Sequence, residues 1–424
     1  MGSNPAARTC PGSAHFALEC RMISMRMRSA GVLVAVIALT GCDEAPPSNP
    51  TPTPAAGSFA LAGACGSITT TPTGEIFAWS RTAQTSSRVD SREYDGALRW
   101  TVTLPGVSSC QGAVTAAGDL LTATADSVYF LDGNTGATKW KRALPFASAF
   151  AVGANGNVYV TTVAFSNTPA SLVALNGSSG GILWTQTLAR GGQPYLSDIT
   201  STLYVARFRG FETYNPATGT AGWASVVAGS SNGPDAAIGA NGNLFVVSSA
   251  DFSGMVDAYT PDGARIWSNS AGTPSQPTGA PVIDKSATVY TSYGRTGGYP
   301  GSVVAMSAAS GETQWKHEFY AVASDLVVDS SRTVYVIAQV SPDSAFRVYG
   351  LRDNTVVFST AAQGITTASD RRGLMIHPNG LLYYIGTDII HFLPTAGIGS
   401  NPVWPMSKHD PLRTARKTVL FLPD

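Results

Sequence analysis

The sequence predicts an all-β chain, an eight-bladed β-propeller of four-stranded antiparallel blades, from three observations. First, Trp100, Trp140, Trp184, Trp223, Trp267 and Trp315 recur at steps of 40, 44, 39, 44 and 48 residues, each shortly after a Gly turn. Such a period marks one supersecondary unit copied many times, each copy burying its apolar face on its neighbours. Second, each unit divides into four short apolar pieces separated by turn residues. Third, the chain carries 44 Gly and 26 Pro in 424 residues and no long helical apolar stripe. That composition suits short strands and many turns.

The elements follow in chain order. Arg26 and Arg28 precede an apolar run, residues 30–41, that ends in Leu39-Thr-Gly-Cys42. Twelve apolar residues are fewer than the roughly 20 a spanning helix needs and match a signal-peptide core. The order of basic flank, core and Cys resembles a bacterial lipobox, which implies lipidation at Cys42. Residues 1–41 are therefore expected to be an upstream extension plus a lipoprotein signal, with Met22, Met25 or Met27 the better start. Residues 42–57 follow as the lipidated Cys and a stalk with five prolines between Pro46 and Pro54. A Pro-rich stretch is extended and forms no core.

Residues 58–424 are expected to form the propeller. The first strand of a unit is apolar and ends in a turn, as in Ala151-Val-Gly-Ala-Asn-Gly156 and Ala237-Ile-Gly-Ala-Asn-Gly242. Asn-Gly predicts a type I′ hairpin, whose two central residues both take positive φ. The second strand reads Val158-Tyr-Val160, Leu203-Tyr-Val205, Val289-Tyr-Thr291 or Val334-Tyr-Val336, and eight copies run from Ile76 to Leu382. The third runs into a Gly turn, as in Leu172-Val-Ala-Leu175, and the fourth carries the Trp. Four strands per unit favour a closed ring over an open solenoid, since closure leaves only short edges. One large ring at a fixed place per unit reads as a blade anchor, worth roughly 150–250 Å² of buried surface.

Closure has its own signal. Phe59-Ala-Leu-Ala-Gly63 aligns with Trp100-Thr-Val-Thr-Leu-Pro-Gly106, so Phe59 stands at a Trp position and begins the chain as a lone outer strand. The last unit lacks a clear fourth strand. Residues 59–62 are expected to pair with 389–393, with the apolar tail 418–422 packed outside them.

Leu131-Asp-Gly-Asn-Thr-Gly-Ala-Thr-Lys-Trp140 and Ala174-Leu-Asn-Gly-Ser-Ser-Gly-Gly-Ile-Leu-Trp184 together resemble the PQQ-like repeat of quinoprotein-type propellers. Trp404-Pro-Met-Ser-Lys-His-Asp-Pro-Leu-Arg-Thr414 resembles a signature of extracytoplasmic members. The layout is distantly similar to the propeller lipoprotein of the machine that assembles outer-membrane β-barrels. Phe358 departs from the pattern at the seventh Trp position. The resemblance implies an envelope lipoprotein that uses its propeller as a protein-interaction or assembly platform. The alternatives are a quinoprotein-type oxidoreductase and a carbohydrate-binding surface propeller.

No catalytic, cofactor-binding or metal-binding residue is expected. Active quinoproteins carry a vicinal Cys-Cys pair, and none occurs here. Gly229-Ser-Ser-Asn-Gly233 fits a nucleophile elbow only by composition, since it lacks the strand–turn–helix setting. Thr260-Pro-Asp262 has the outer spacing of a sialidase Asp-box, with Gly263 one place early. His15, His317, His377, His391 and His409 have no partner at metal-ligand spacing. Cys65 and Cys110 precede equivalent first strands of successive units, which predicts a disulfide between blades one and two. Charge is 27 basic against 27 acidic with 13% charged residues, so nucleic acid is not an expected partner. The expected location is the bacterial envelope, with a membrane contact through lipid and an envelope protein as partner.

Overall fold

The computed structural model describes residues 55–395 and 416–417, apart from 62, 84–85, 107, 167, 208–209, 227–234, 251–252, 271–275, 296–297, 368–372 and 387–388. Its described strands form eight antiparallel blades, each with four strands ordered from the centre outward. Blade one is Ala64–Thr70, Ile76–Ala83, Ser86–Arg92 and Leu98–Pro105, and blade two Ser108–Val114, Leu120–Thr124, Ser127–Leu131 and Thr138–Ala143. Blade three spans Ala147–Val152 to Ile182–Leu188, blade four Pro194–Ser197 to Ala221–Val226, and blade five Asp235–Ile238 to Arg265–Asn269. Blade six spans Val282–Ile283 to Thr313–Phe319. Blade seven runs to Thr355–Ala361, its inner strand split into Ala321–Val322 and Val327–Val328.

Burial follows position in the blade. Inner strands touch from blade one to blade four and from blade six to blade eight, and blade one's inner strand also touches Leu381–Ile385, so Leu374–Ile376 and the second strand Leu381–Ile385 are buried throughout. Both faces of such a strand are covered, which is why these pieces read as continuous apolar runs. The outer strand Ile182–Leu188 instead alternates between exposed and half-buried positions from Leu183 to Thr187 and ends on the buried Leu188.

The ring closes in blade eight, made of Leu374–Ile376, Leu381–Ile385, Ile389–Pro394 and, outermost, the N-terminal strand Gly57–Ala60. Gly57–Ala60 pairs antiparallel with Ile389–Pro394, matching Phe59 with Ile390. This is the expected closure, shifted two residues toward the N-terminus. Phe59 takes the Trp place, because a Cβ on Gly96 of blade one would lie 2.6 Å from its ring. The Arg92 guanidinium stands 4.9 Å from the same ring centre.

One expectation needs correction. Gly156 and Gly242 have φ of 79° and 83°, but Asn155 and Asn241 do not take positive φ. The Asn155 side chain accepts from the Asn157 amide at 3.0 Å while Gly153 and Gly156 close the turn. An Asn that bonds its own backbone two residues on holds a right-handed turn, so only the Gly must be left-handed. The type I′ pattern appears at Asp353 and Asn354, with φ of 45° and 64°, where blade seven lacks the usual Gly turn. Arg416–Lys417 lies parallel to Leu196–Ser197 on the inner edge of blade four. Residues 418–422 lie outside the described residues.

Candidate functional site

Alternating strand direction sorts the loops. Turns joining first to second and third to fourth strands leave one face, here the turn face. Second-to-third turns and blade-to-blade links leave the other, the connection face.

A ladder of indoles joins the blades near the turn face. Trp100, Trp140, Trp184, Trp223 and Trp267 donate from Nε1 to a carbonyl of the following blade: Gly133, Gly177, Pro216, Pro261 and Ala308, at 2.7–3.1 Å. Each ring also covers a Gly of that blade, and a Cβ at Gly180 would meet the Trp140 ring at 2.7 Å. Trp140 is buried, and the other repeat indoles, Trp315 among them, are half-buried. Blade seven offers Asn354 where Gly is usual, and His317 Nδ1 sits 3.0 Å from its side-chain oxygen. The Thr260–Ala264 turn, with its Asp-box spacing, belongs to this ladder, because Gly263 lies under Trp223. Sequence reading missed Trp79, which is fully buried and donates to Thr122 of blade two at 2.9 Å.

Buried polar groups are mostly committed to structure. Asp90 accepts from Arg88 at 2.5 Å, Arg92 at 2.9 Å and Thr101 at 2.9 Å. Asp284 takes the Tyr290 hydroxyl at 2.9 Å and Arg332 of blade seven at 3.0 Å. Asp329 takes the Tyr335 hydroxyl at 3.0 Å. His377 joins blade eight to blade one: its Nε2 lies 2.7 Å from the Gly74 carbonyl and its Nδ1 accepts the Asn379 amide at 3.1 Å. Burial pushes its pKa below the ordinary histidine value. Asp257 differs, being buried with one carboxylate oxygen lacking a hydrogen-bond partner. Desolvation raises its pKa.

Each face exposes apolar surface. On the connection face Phe165 is 59% exposed and stacks on Phe146 at 4.6 Å between ring centres, with Val163 exposed alongside. Phe146 is held at φ 60° by bonds to Ala125 of blade two and Val163 of blade three. Tyr299 of blade six and Val340 of blade seven are exposed on the same face. The sequence carries no repeat signal for these loops. On the turn face a cavity of about 280 Å³ opens between blades five and six, lined by Phe245, Ile283, Ala308, Asn241, Asn243 and Lys285 among others.

The remaining predicted positions divide by where they fall. Cys42, the signal, Gly229–Gly233, Trp404, His409 and Asp410 lie outside the described residues. Cys110 is buried and disulfide-bonded. Cys65 sits in the inner strand Ala64–Thr70, which touches the inner strand Ser108–Val114.

A family model described as outer membrane protein assembly factor BamB matches residues 60–207 and 124–360. Together these spans take in well over half of the chain. The chain belongs to the BamB family. No curated protein matches it in direct sequence comparison. Among solved structures, BamB from Moraxella catarrhalis is 18% identical with a TM-score of 0.58, over 80% of this chain and 97% of that one. A europium-containing methanol dehydrogenase is 12% identical with a TM-score of 0.56, over 78% of this chain and 84% of that one. Quinohemoprotein alcohol dehydrogenase from Comamonas testosteroni is 10% identical with a TM-score of 0.59, over 82% and 78%. At these identities the solved structures show a shared fold. Against a quinone and its metal, the described residues of this BamB-family chain offer no fitting donor set. Asp90 is engaged within blade one and Asp329 within blade seven, Asp284 binds Tyr290 of its own blade and Arg332 of the next, and among the described residues no three His, Cys, Asp or Glu side chains gather in a metal-binding group.

Proposed function

We propose that this chain is a lipid-anchored protein of the bacterial envelope whose propeller holds partner proteins during assembly, and that it transforms no substrate. The family match over residues 60–360 carries this reading. Three features support it. Leu39-Thr-Gly-Cys42 supplies the expected lipid site and residues 42–57 a stalk that holds the domain off the membrane. The eight-bladed ring is stiffened by indole contacts from blade to blade, which suits a platform. The connection face presents Phe165 on Phe146 with Val163 beside it, and exposed apolar groups on rigid loops are the usual anchors of protein interfaces.

The oxidoreductase alternative requires cofactor donors that the described carboxylates do not offer, and no specific observation favours the carbohydrate reading. Fatty-acid labelling of the wild type and Cys42→Ser tests the anchor. Wild type should take the label and sediment with membranes, and Cys42→Ser should lose both. Label retained by Cys42→Ser would remove the tether.

A further inference from the structure

Asn155, Asn176, Asn232, Asn241 and Asn379 each stand directly before a Gly, and Asn232 lies outside the described residues. An Asn-Gly pair is labile, because a Gly amide, unshielded by a Cβ, can attack the side-chain carbon of the Asn before it. The described pairs differ in whether that amide is available. Gly156, Gly242 and Gly380 commit theirs inside their own turns, donating to the carbonyls of Gly153, Gly239 and His377 at 2.9, 3.0 and 2.9 Å. The Gly177 amide has no acceptor among the described residues. It opens the third-to-fourth turn of blade three, which is closed instead by Asn176 donating to Gly181 and Gly180 donating to Asn176, both at 2.8 Å.

The carbon under attack differs too. Asn176 Oδ1 accepts from the Ser178 amide at 3.0 Å and hydroxyl at 2.7 Å, and from the Ser179 amide and hydroxyl at 3.1 Å each. Asn155, Asn241 and Asn379 accept from the amide two places on, at 3.0–3.1 Å, and from no second donor among the described residues. Donors aimed at a carbonyl oxygen stabilise the negative charge that develops there when its carbon is attacked. We propose that Asn176 is a self-modification site, deamidating through a succinimide in the folded protein. The Gly177 nitrogen gives its proton to solvent and bonds Asn176 Cγ, the Cγ–Nδ2 bond breaks, and ammonia leaves. Water then opens the ring at either carbonyl. Opening at Cγ leaves Asp, one added negative charge on the turn face, and blade two shows that this place accepts it. There Asp132 takes the matching bonds, from the Asn134 amide at 3.0 Å and from the Thr135 amide at 3.0 Å and hydroxyl at 2.9 Å. Opening at the backbone carbonyl leaves an isoaspartyl link, which routes the chain through the side chain. That link displaces the Gly177 carbonyl, the acceptor of the Trp140 indole at 2.7 Å.

Timed incubation of the purified full chain at mildly alkaline pH, with peptide mapping that localises each conversion, tests this. In the folded protein Asn176 should convert at least fivefold faster than Asn155, Asn241 or Asn379. In urea the four rates should converge, because the fold makes the difference. Joint Ser178→Ala and Ser179→Ala substitution removes both hydroxyl donors, with folding checked by circular dichroism. It should slow Asn176 at least threefold in the folded chain and leave its rate in urea unchanged. Asn176 converting no faster than the other three, the same order of rates in urea, or no slowing in the double variant would each overturn the assignment.

Discussion

The indole nitrogen of Trp140 donates to the carbonyl of Gly177 in the next blade at 2.7 Å. The same ring lies over Gly180, so hydrogen bond and packing fix one blade against the next at a single residue. The contact recurs around the ring because the Trp and the Gly turn belong to the same repeat.

Trp140→Ala should therefore destabilise the domain by about 3–5 kcal/mol, the usual cost of removing a buried large aromatic. Gly180→Val should also destabilise, because the added carbons meet the indole and the backbone is left-handed, with φ 65°. Urea unfolding followed by far-ultraviolet circular dichroism measures both. A loss under about 1 kcal/mol for Trp140→Ala would show that the ring does not anchor the blades.

The closing strand offers a second check. Phe59→Ala should loosen blade eight before the rest, since it removes the ring that covers Gly96 and packs under Arg92. Hydrogen exchange should then quicken in Ile389–Pro394 while blades three to five keep wild-type protection. Uniform acceleration in all blades would mean that closure is not local to Phe59.

The disulfide of Cys110 is expected to run to Cys65, tying the inner strands of blades one and two. A loop of this length stabilises by about 4 kcal/mol on the chain-entropy model. Mass spectrometry of a non-reduced digest should return the Cys65 and Cys110 peptides joined. A Cys110 peptide joined to any other cysteine would refute the pairing.

His377 predicts a pH effect with a definite sign. Its folded pKa lies below the unfolded value because burial disfavours the charged ring. The unfolded chain therefore binds more protons, and stability rises with pH through that window. The contribution is complete above about pH 6.5 and is lost as pH falls below it. Thermal melts from pH 7.5 to 5.5 should show a declining Tm for wild type and a flatter decline for His377→Gln. Equal slopes for the two would assign the effect to other groups.

Much of the fold was legible in the chain because the repeat writes one packing solution many times. Trp at fixed spacing and Gly in the preceding turn are two halves of one contact, so the sequence period is the blade period. Closure was legible for the same reason: Phe59 stands in register with the tryptophans. The turn type was not, since Asn-Gly fits two hairpin geometries and the Asn155 side chain selects between them. Phe146 and Phe165 were illegible because neither recurs, and their stacking depends on a left-handed Phe146 held between two blades. The cavity at Phe245 and Ile283 joins residues from different repeats, which no single unit encodes. The path of Arg416–Lys417 was equally hidden, because short apolar or basic pieces carry no register of their own.

The central claim is that the propeller binds proteins in the envelope through its connection face. Photo-crosslinking in the native cell, with p-benzoylphenylalanine in place of Phe165, tests it most directly. The account predicts adducts to one or a few envelope proteins that disappear in Cys42→Ser and do not form from a probe at Lys139 on an outer strand. No protein adduct from Phe165, or the same adducts from Lys139, would contradict it.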